Sequence, residues 1–243
     1  MTLFLASVRD AAEAELALGE GTDVIDLKDP ARGALGALAA ETITACLRCV
    51  AGRAPVSATV GDLPLRGDAV AAAVTATAAL GVDYIKLGVF PGSDASFYLD
   101  LADREPNRAR LILVLFADAL PQFDSIALAA KLGASGLMFD TLGKGEGALT
   151  DYLPLRELAA RSAEAKTCGL TVGFAGSLRP KDVPALLALE PDLLGFRGAL
   201  CRNGDRLQPV DAIRLASIRK LIPRKSGGLL ARNLPDRAAP ALC

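Results

Sequence analysis

Three stretches of the chain are variants of one pattern: Gly-Glu-Gly-Thr-Asp-Val-Ile-Asp at 19–26, Leu-Gly-Val-Asp-Tyr-Ile-Lys at 80–86, and Leu-Gly-Ala-Ser-Gly-Leu-Met-Phe-Asp at 132–140. Each ends a helical run on a glycine, the residue that a helix C-terminus favours, and then opens a short β-rich run that finishes on a charged side chain. Repeated along a chain, that turn gives a βα alternation.

Working outward from those turns, the pattern predicts strands at Leu3 to Ser7, Val24 to Lys28, Val56 to Val60, Tyr84 to Leu87, Leu111 to Phe116, Gly136 to Asp140, Leu170 to Phe174 and Leu193 to Phe196. Helices are expected between them at about 10–19, 40–51, 67–80, 94–104, 121–132, 154–166, 180–189 and 211–221. Eight strands with eight helices fit an α/β fold of one (β/α)8 TIM barrel, in which closure leaves no strand edge exposed. An open doubly wound sheet is the alternative, weakened because no G-x-G-x-x-G follows the first strand. The barrel is expected to occupy residues 1–223. From 224 to 243 Arg, Gly and Pro mix without apolar periodicity, so a mobile tail is expected there.

Composition narrows the function. With 243 residues, 51% of them hydrophobic, the chain can bury a continuous core. A net charge of -1 with three Tyr and no Trp gives neither the basic field nor the stacking platforms of a nucleic-acid binder. Asp, Lys or Arg interrupts every apolar run before it reaches membrane-spanning length, and the first residues lack the positive start of a signal peptide, so a cytoplasmic protein that meets no membrane is expected. The five cysteines are scattered and odd in number, which suits reduced thiols. Cys46 and Cys49 have redox-motif spacing but share a helical stretch, where packing is the better reading. With no histidine in the chain, Ser-His, Cys-His and His-ligated metal chemistry are excluded, and proton transfers fall to Lys, Asp, Glu, Tyr or water.

In a barrel, chemistry sits where strands end and βα loops begin. Lysine recurs there. Asp26 and Lys28 are two apart in Val-Ile-Asp-Leu-Lys-Asp-Pro and so point the same way. Lys86 takes the equivalent end of the fourth strand, Asp140 ends the sixth, and Lys144 follows in the glycine-rich Phe-Asp-Thr-Leu-Gly-Lys-Gly-Glu-Gly. Converging lysines depress one another's pKa, and a neutral lysine can form a Schiff base with an aldehyde or ketone, while a second lysine or an aspartate moves the α-proton. The structural alternative for each lysine is a solvated cation beside an acid. For Lys28 and Lys86 it is the weaker reading, because both follow apolar strand cores. For Asp26 and Asp140 it is a buried ion pair, which would also be the functional arrangement.

After the seventh and eighth strands come Gly-Phe-Ala-Gly-Ser-Leu-Arg-Pro at 173–180 and Gly-Phe-Arg-Gly-Ala-Leu-Cys-Arg at 195–202. Barrels commonly hold phosphate between these loops. Gly176, Ser177 and Gly198 would allow close approach of a phosphate, and Arg197 could add a bidentate charge. The alternative is two tight turns. The partner expected from all this is a small phosphorylated aldehyde. Association into a homo-oligomer is open, since nothing in the helices names an interface.

Together these residues resemble the (5-formylfuran-3-yl)methyl phosphate synthase family of methanofuran biosynthesis, over roughly residues 1 to 222. The carriers are Asp-Leu-Lys-Asp-Pro with Gly-Ala-Leu-Gly-Ala within 26–37, Tyr-Ile-Lys-Leu-Gly at 84–88, Phe-Asp-Thr with Lys144 beyond it, and Gly-Phe-Arg-Gly-Ala-Leu-Cys at 195–201. The resemblance implies a lyase that condenses two glyceraldehyde 3-phosphate molecules with loss of one phosphate and two waters, and it implies no metal and no organic cofactor. By it Lys28 would be the Schiff-base lysine and Lys86 the proton acceptor, with Asp26, Asp140 and Lys144 completing the site. The residues themselves leave open another Schiff-base aldolase using a triose phosphate, or a catalytically silent barrel that binds a phosphorylated metabolite.

Overall fold

The computed structural model describes residues 1–63, 67–104 and 110–223. The tail expected at 224–243 lies outside the described residues. The chain runs β1 (Leu3–Val8), α1 (Ala11–Gly19), β2 (Val24–Leu27), α2 (Ala40–Val50), β3 (Val56–Thr59), α3 (Gly67–Ala79), β4 (Tyr84–Val89) and α4 (Ala95–Arg104). It continues with β5 (Arg110–Phe116), α5 (Ser125–Lys131), β6 (Gly136–Asp140), α6 (Leu149–Tyr152), α7 (Leu155–Thr167), β7 (Thr171–Phe174), α8 (Val183–Leu187), β8 (Leu193–Phe196) and α9 (Ala212–Leu221). The strands pair in parallel in chain order and β8 returns to β1, closing the barrel. All eight expected strands are present.

The recurrent αβ turn works through its aspartate. Asp23 accepts the Phe4 N–H at 2.9 Å, Asp83 the Val56 N–H at 2.7 Å, and Asp192 the Val172 N–H at 2.8 Å. Each carboxylate therefore satisfies a donor in the first two residues of the preceding strand, at the barrel floor. In the copy at 132–140, Ser135 stands where the aspartate would be, and it keeps only the backbone bond that the aspartate turns also make, its N–H donating to Leu111 O.

Burial separates into two apolar bodies. The larger lies between strands and helices; the smaller fills the barrel interior with Leu5, Val24, Tyr84, Ile112, Val114, Phe116, Met138 and Leu193. Above that plug the inward positions turn polar, with Ser7, Asp26, Ser57, Lys86 and Asp140 all buried. The strands are hydrophobic on both faces except in this upper layer, and the exception places the chemistry at the C-terminal end of the barrel.

Besides small shifts of strand ends and an unexpected short helix, α6, the elements depart from expectation as follows. The helix expected at 121–132 starts only at Ser125, where the Asp124 carboxylate caps the Ile126 and Ala127 N–H groups. The run at 180–189 breaks into a 3-10 turn, Pro180–Asp182, followed by the short α8 with Pro184 in its first turn. Strand β4 continues to Val89, so Lys86 is the third of its six residues rather than its end.

Candidate active site

Register builds the centre of the site. Asp26 on β2 stands opposite Ser7 on β1 and Ser57 on β3, so three inward side chains meet in one row. Ser7 Oγ donates to Asp26 Oδ2 at 2.7 Å, and Ser57 Oγ donates to Oδ1 at 2.6 Å. Lys86 Nζ reaches the same Oδ1 at 2.8 Å. Burial works against the Asp26 charge, but Lys86, Lys28 and the hydrogen bonds outweigh it and hold the carboxyl below its ordinary value.

A second pair stands on the other side. Lys144 Nζ lies 2.7 Å from Asp140 Oδ1 and also donates to the Thr141 carbonyl. The Thr141 N–H donates to the same carboxylate oxygen at 2.7 Å. Burial again opposes ionisation and is overcome by Lys144 and Lys28, leaving Asp140 with a pKa of about 2. Gly176 makes room for this loop. Its φ is +94°, and a Cβ there would come within 2.8 Å of the Thr141 nitrogen.

Lys28 belongs to neither pair. It follows the last residue of β2, its backbone N–H donates to Val8 O, and its ammonium has no carboxylate within ion-pairing distance among the described residues. With 7% of its surface exposed it is nevertheless buried. Burial is the largest influence on its pKa and lowers it; Lys144 and Lys86 push the same way, Asp140 and Asp26 oppose them, and the result is about 8. Three lysines face two carboxylates, so a neutral Lys28 leaves the cluster electrically balanced.

Two aspartates fix the loops that carry these groups. Asp62, beyond β3, accepts the Ala34 and Leu35 N–H groups at 2.8 and 2.7 Å, tying down the segment after Lys28. Asp118, beyond β5, accepts the Leu142 and Gly143 N–H groups at 2.7 Å each, tying down the segment before Lys144. Neither was singled out in the sequence, because an Asx-type loop clamp has no signature until its distant partner is known.

All five expected acid and base groups, and the four residues expected at the phosphate loops, border one cavity of about 500 Å³. At its β7 and β8 side the backbone N–H groups of Gly176, Ser177, Gly198 and Ala199 have no protein acceptor among the described residues. Open backbone donors on a cavity wall suit an oxyanion.

Arg197 borders the cavity with its guanidinium turned to the protein. It was expected to offer a bidentate charge to phosphate, yet its Nε donates to Arg206 O at 2.9 Å, Nη1 to Ser7 O at 3.1 Å and to Glu13, and Nη2 to Glu13 at 3.3 Å and Gln208 O at 3.1 Å. All five guanidinium donors are spent on the protein. The physical reason is Glu13 of α1, 5% exposed, whose buried carboxylate needs a cation. Ser7, Ser57 and Thr141 are members of the site that the sequence reading passed over. Strand alternation, which puts Ser7 and Ser57 on the inward face, was the available signal. Among the described residues no three His, Cys, Asp or Glu side chains are grouped to hold a metal, and no helix is long and apolar enough to cross a membrane.

Comparison with known proteins gives a consistent family. Residues 4–219 match the family model described as 4-HFC-P synthase. A relative from Methylorubrum extorquens is 47% identical over 212 residues, covering 87% of this chain and 88% of its own. A Methanopyrus kandleri protein named (5-formylfuran-3-yl)methyl phosphate synthase is 36% identical over 230 residues, covering 89% of this chain and 96% of its own. Among solved structures, phosphoribosyl anthranilate isomerase from Thermus thermophilus superposes with a TM-score of 0.64 at 16% identity, covering 91% of this chain and 98% of its own, a likeness of fold alone.

Proposed function

Since the chain belongs to the 4-HFC-P synthase family, we propose that it condenses two molecules of glyceraldehyde 3-phosphate into (5-formylfuran-3-yl)methyl phosphate, a step of methanofuran biosynthesis, through an imine on Lys28. The observation that carries this reading is the Lys28 amine itself: buried, without a carboxylate partner among the described residues, with a pKa of about 8, and opening on the cavity. An amine in that state is a nucleophile near neutral pH.

Lys28 Nζ attacks the aldehyde carbon, and the carbinolamine loses water to give the imine. The imine acidifies the neighbouring C–H, and the resulting enamine places the 3-phosphate in the β position, from which its electron pair can expel phosphate. Lys86 receives and returns protons, held in place by Asp26; Lys144 and Asp140 do the same for the oxygens that leave as water. Two triose phosphates less one phosphate and two waters have the atoms of the furan product. The open N–H groups at Gly176, Ser177, Gly198 and Ala199 hold a substrate phosphate, which needs no cofactor and no guanidinium from Arg197.

The test is incubation of the purified chain with glyceraldehyde 3-phosphate as sole substrate, followed by furan absorbance and by borohydride reduction with peptide mass analysis. A furan product and a substrate-dependent adduct on Lys28 are expected. An active preparation that makes no furan would sink the synthase reading.

A further inference from the structure

Two arginines on the cavity wall are uncommitted where Arg197 is fully spent. Arg206, nine residues on in the loop after β8, is half-buried and donates from Nη2 to Gly33 O at 3.0 Å, its one side-chain hydrogen bond among the described residues. Of five guanidinium donors, four are therefore free of protein acceptors. Arg214, in the first turn of α9, is exposed, borders the same cavity and has no ion pair among the described residues. The other cation on this rim, Arg179, is occupied by Asp182 at 2.9 Å and Asp151 at 3.6 Å. Asp205, also at the rim, accepts the Leu207 N–H at 2.9 Å and forms no ion pair with either arginine.

The buried Arg197 and the partly buried Arg219 are each paired with a carboxylate, Glu13 and Asp23, whereas the partly desolvated Arg206 forms no ion pair among the described residues and feels Asp140 and Asp62 only at a distance, which is unfavourable until an anion binds. The space beside it is large: about 500 Å³ exceeds what one three-carbon phosphate fills. The Gly33 bond holds the Arg206 side chain across the mouth, from the loop after β8 to the loop after β2 that begins at Lys28. We propose that Arg206, assisted by Arg214, forms a second anion subsite that takes the phosphate of the second triose phosphate, separate from the backbone donors after β7 and β8. The assignment rests on the two-substrate reading above. A guanidinium at the open end suits the molecule that enters last, because it grips phosphate in two places without enclosing it.

The test compares Arg206→Gln, Arg206→Lys and Arg206→Gln/Arg214→Gln with the parent protein in two measurements. In the first, the borohydride-trapping rate on Lys28 with glyceraldehyde 3-phosphate is set beside turnover to product. Arg206→Gln should keep the trapping rate within about two-fold while kcat/KM falls at least about ten-fold, roughly the 1.4 kcal/mol of one charge-assisted contact. Arg206→Lys should recover part of that loss, which a merely structural bond to Gly33 would not predict. Trapping that falls in step with turnover would place Arg206 at the first substrate and overturn the proposal, as would unchanged turnover. The second measurement counts inorganic phosphate bound per chain by 31P NMR titration, and it stands even if no furan forms. Two phosphates on the parent and one on the double variant are expected. One on both, or none on the variant, overturns the second subsite without touching the chemistry proposed for Lys28.

Discussion

Lys86 Nζ lies 2.8 Å from Asp26 Oδ1, and the same carboxylate is held by hydroxyls from both neighbouring strands, Ser7 and Ser57. Lys86 is 3% exposed and Asp26 is fully buried, so each charge depends on the other for its solvation. Removing one partner of such a pair strands the other, at a cost of about 3–5 kcal/mol. Asp26→Ala should therefore lower the melting temperature by on the order of 10 °C, since a protein of this length loses about 2–4 °C per kcal/mol. Ser57→Ala, which deletes one hydrogen bond to the charge, should cost about 1.5–3 kcal/mol. Thermal unfolding followed by circular dichroism checks both, and an Asp26→Ala protein as stable as the parent would contradict the buried pair.

The pH dependence of imine formation should report Lys28. A free amine with a pKa of about 8 is mostly protonated at pH 6 and mostly neutral at pH 9. The borohydride-trapping rate at low substrate should rise about ten-fold per pH unit below pH 8 and level above it. A profile that keeps rising toward the usual lysine range would show that Lys28 is not depressed. The same shift carries a stability prediction of definite sign. The folded pKa lies below the unfolded value of 10.5, so between about 8 and 10.5 the unfolded chain binds more protons and stability rises with pH. Below about 8 the buried charge costs up to roughly 3 kcal/mol, at 1.36 kcal/mol per unit. Lys28→Met should thus be inactive yet more stable than the parent at pH 7, with the gain shrinking toward pH 10.5.

Asp140 tunes that amine from across the barrel. Its carboxylate, with a pKa of about 2, is charged throughout the pH range in which Lys28 titrates and raises the pKa of Lys28. Asp140→Asn removes the attraction while leaving Lys144 nearby, so the rise in the trapping profile should move below pH 8. A profile displaced upward, or unmoved, would mean that the coupling between Asp140 and Lys28 is absent.

Much of the fold was legible because the αβ turn repeats and because strands buried on both faces read as short apolar runs. The charges that interrupt those runs, Asp26, Lys86 and Asp140, were visible for the same reason: an ionised side chain inside an apolar strand is costly enough to stand out. What the sequence could not express was which charge answers which. Arg197 carried every local sign of a phosphate ligand, but its acid lies 184 residues earlier, on α1. Arg206 carried no sign at all, standing in a polar loop of ordinary composition. The helix expected across 121–124 failed for a local reason, since Asp124 satisfies two helix N–H groups and so sets the start just after itself.

Arg197 and Glu13 provide the sharpest separation of structure from chemistry in the site. Arg197 borders the cavity, but its donors go to Glu13 and to the carbonyls of Ser7, Arg206 and Gln208, which fastens β8 and the loop after it to β1 and α1. Glu13 in turn accepts the Arg9 and Val210 N–H groups and meets the more exposed Arg9 guanidinium at 3.2 Å, so a second cation partly compensates it when Arg197 is lost. Glu13→Gln should cost about 3–5 kcal/mol of stability, Arg197→Met somewhat less because Arg9 still faces Glu13, and the double variant less than the sum, because the stranded charge disappears. In the folded fraction at low temperature, the KM for glyceraldehyde 3-phosphate should change by less than about three-fold in Arg197→Met. A much larger rise in KM with unchanged stability would return Arg197 to the phosphate and show that its bonds to the protein open when substrate binds.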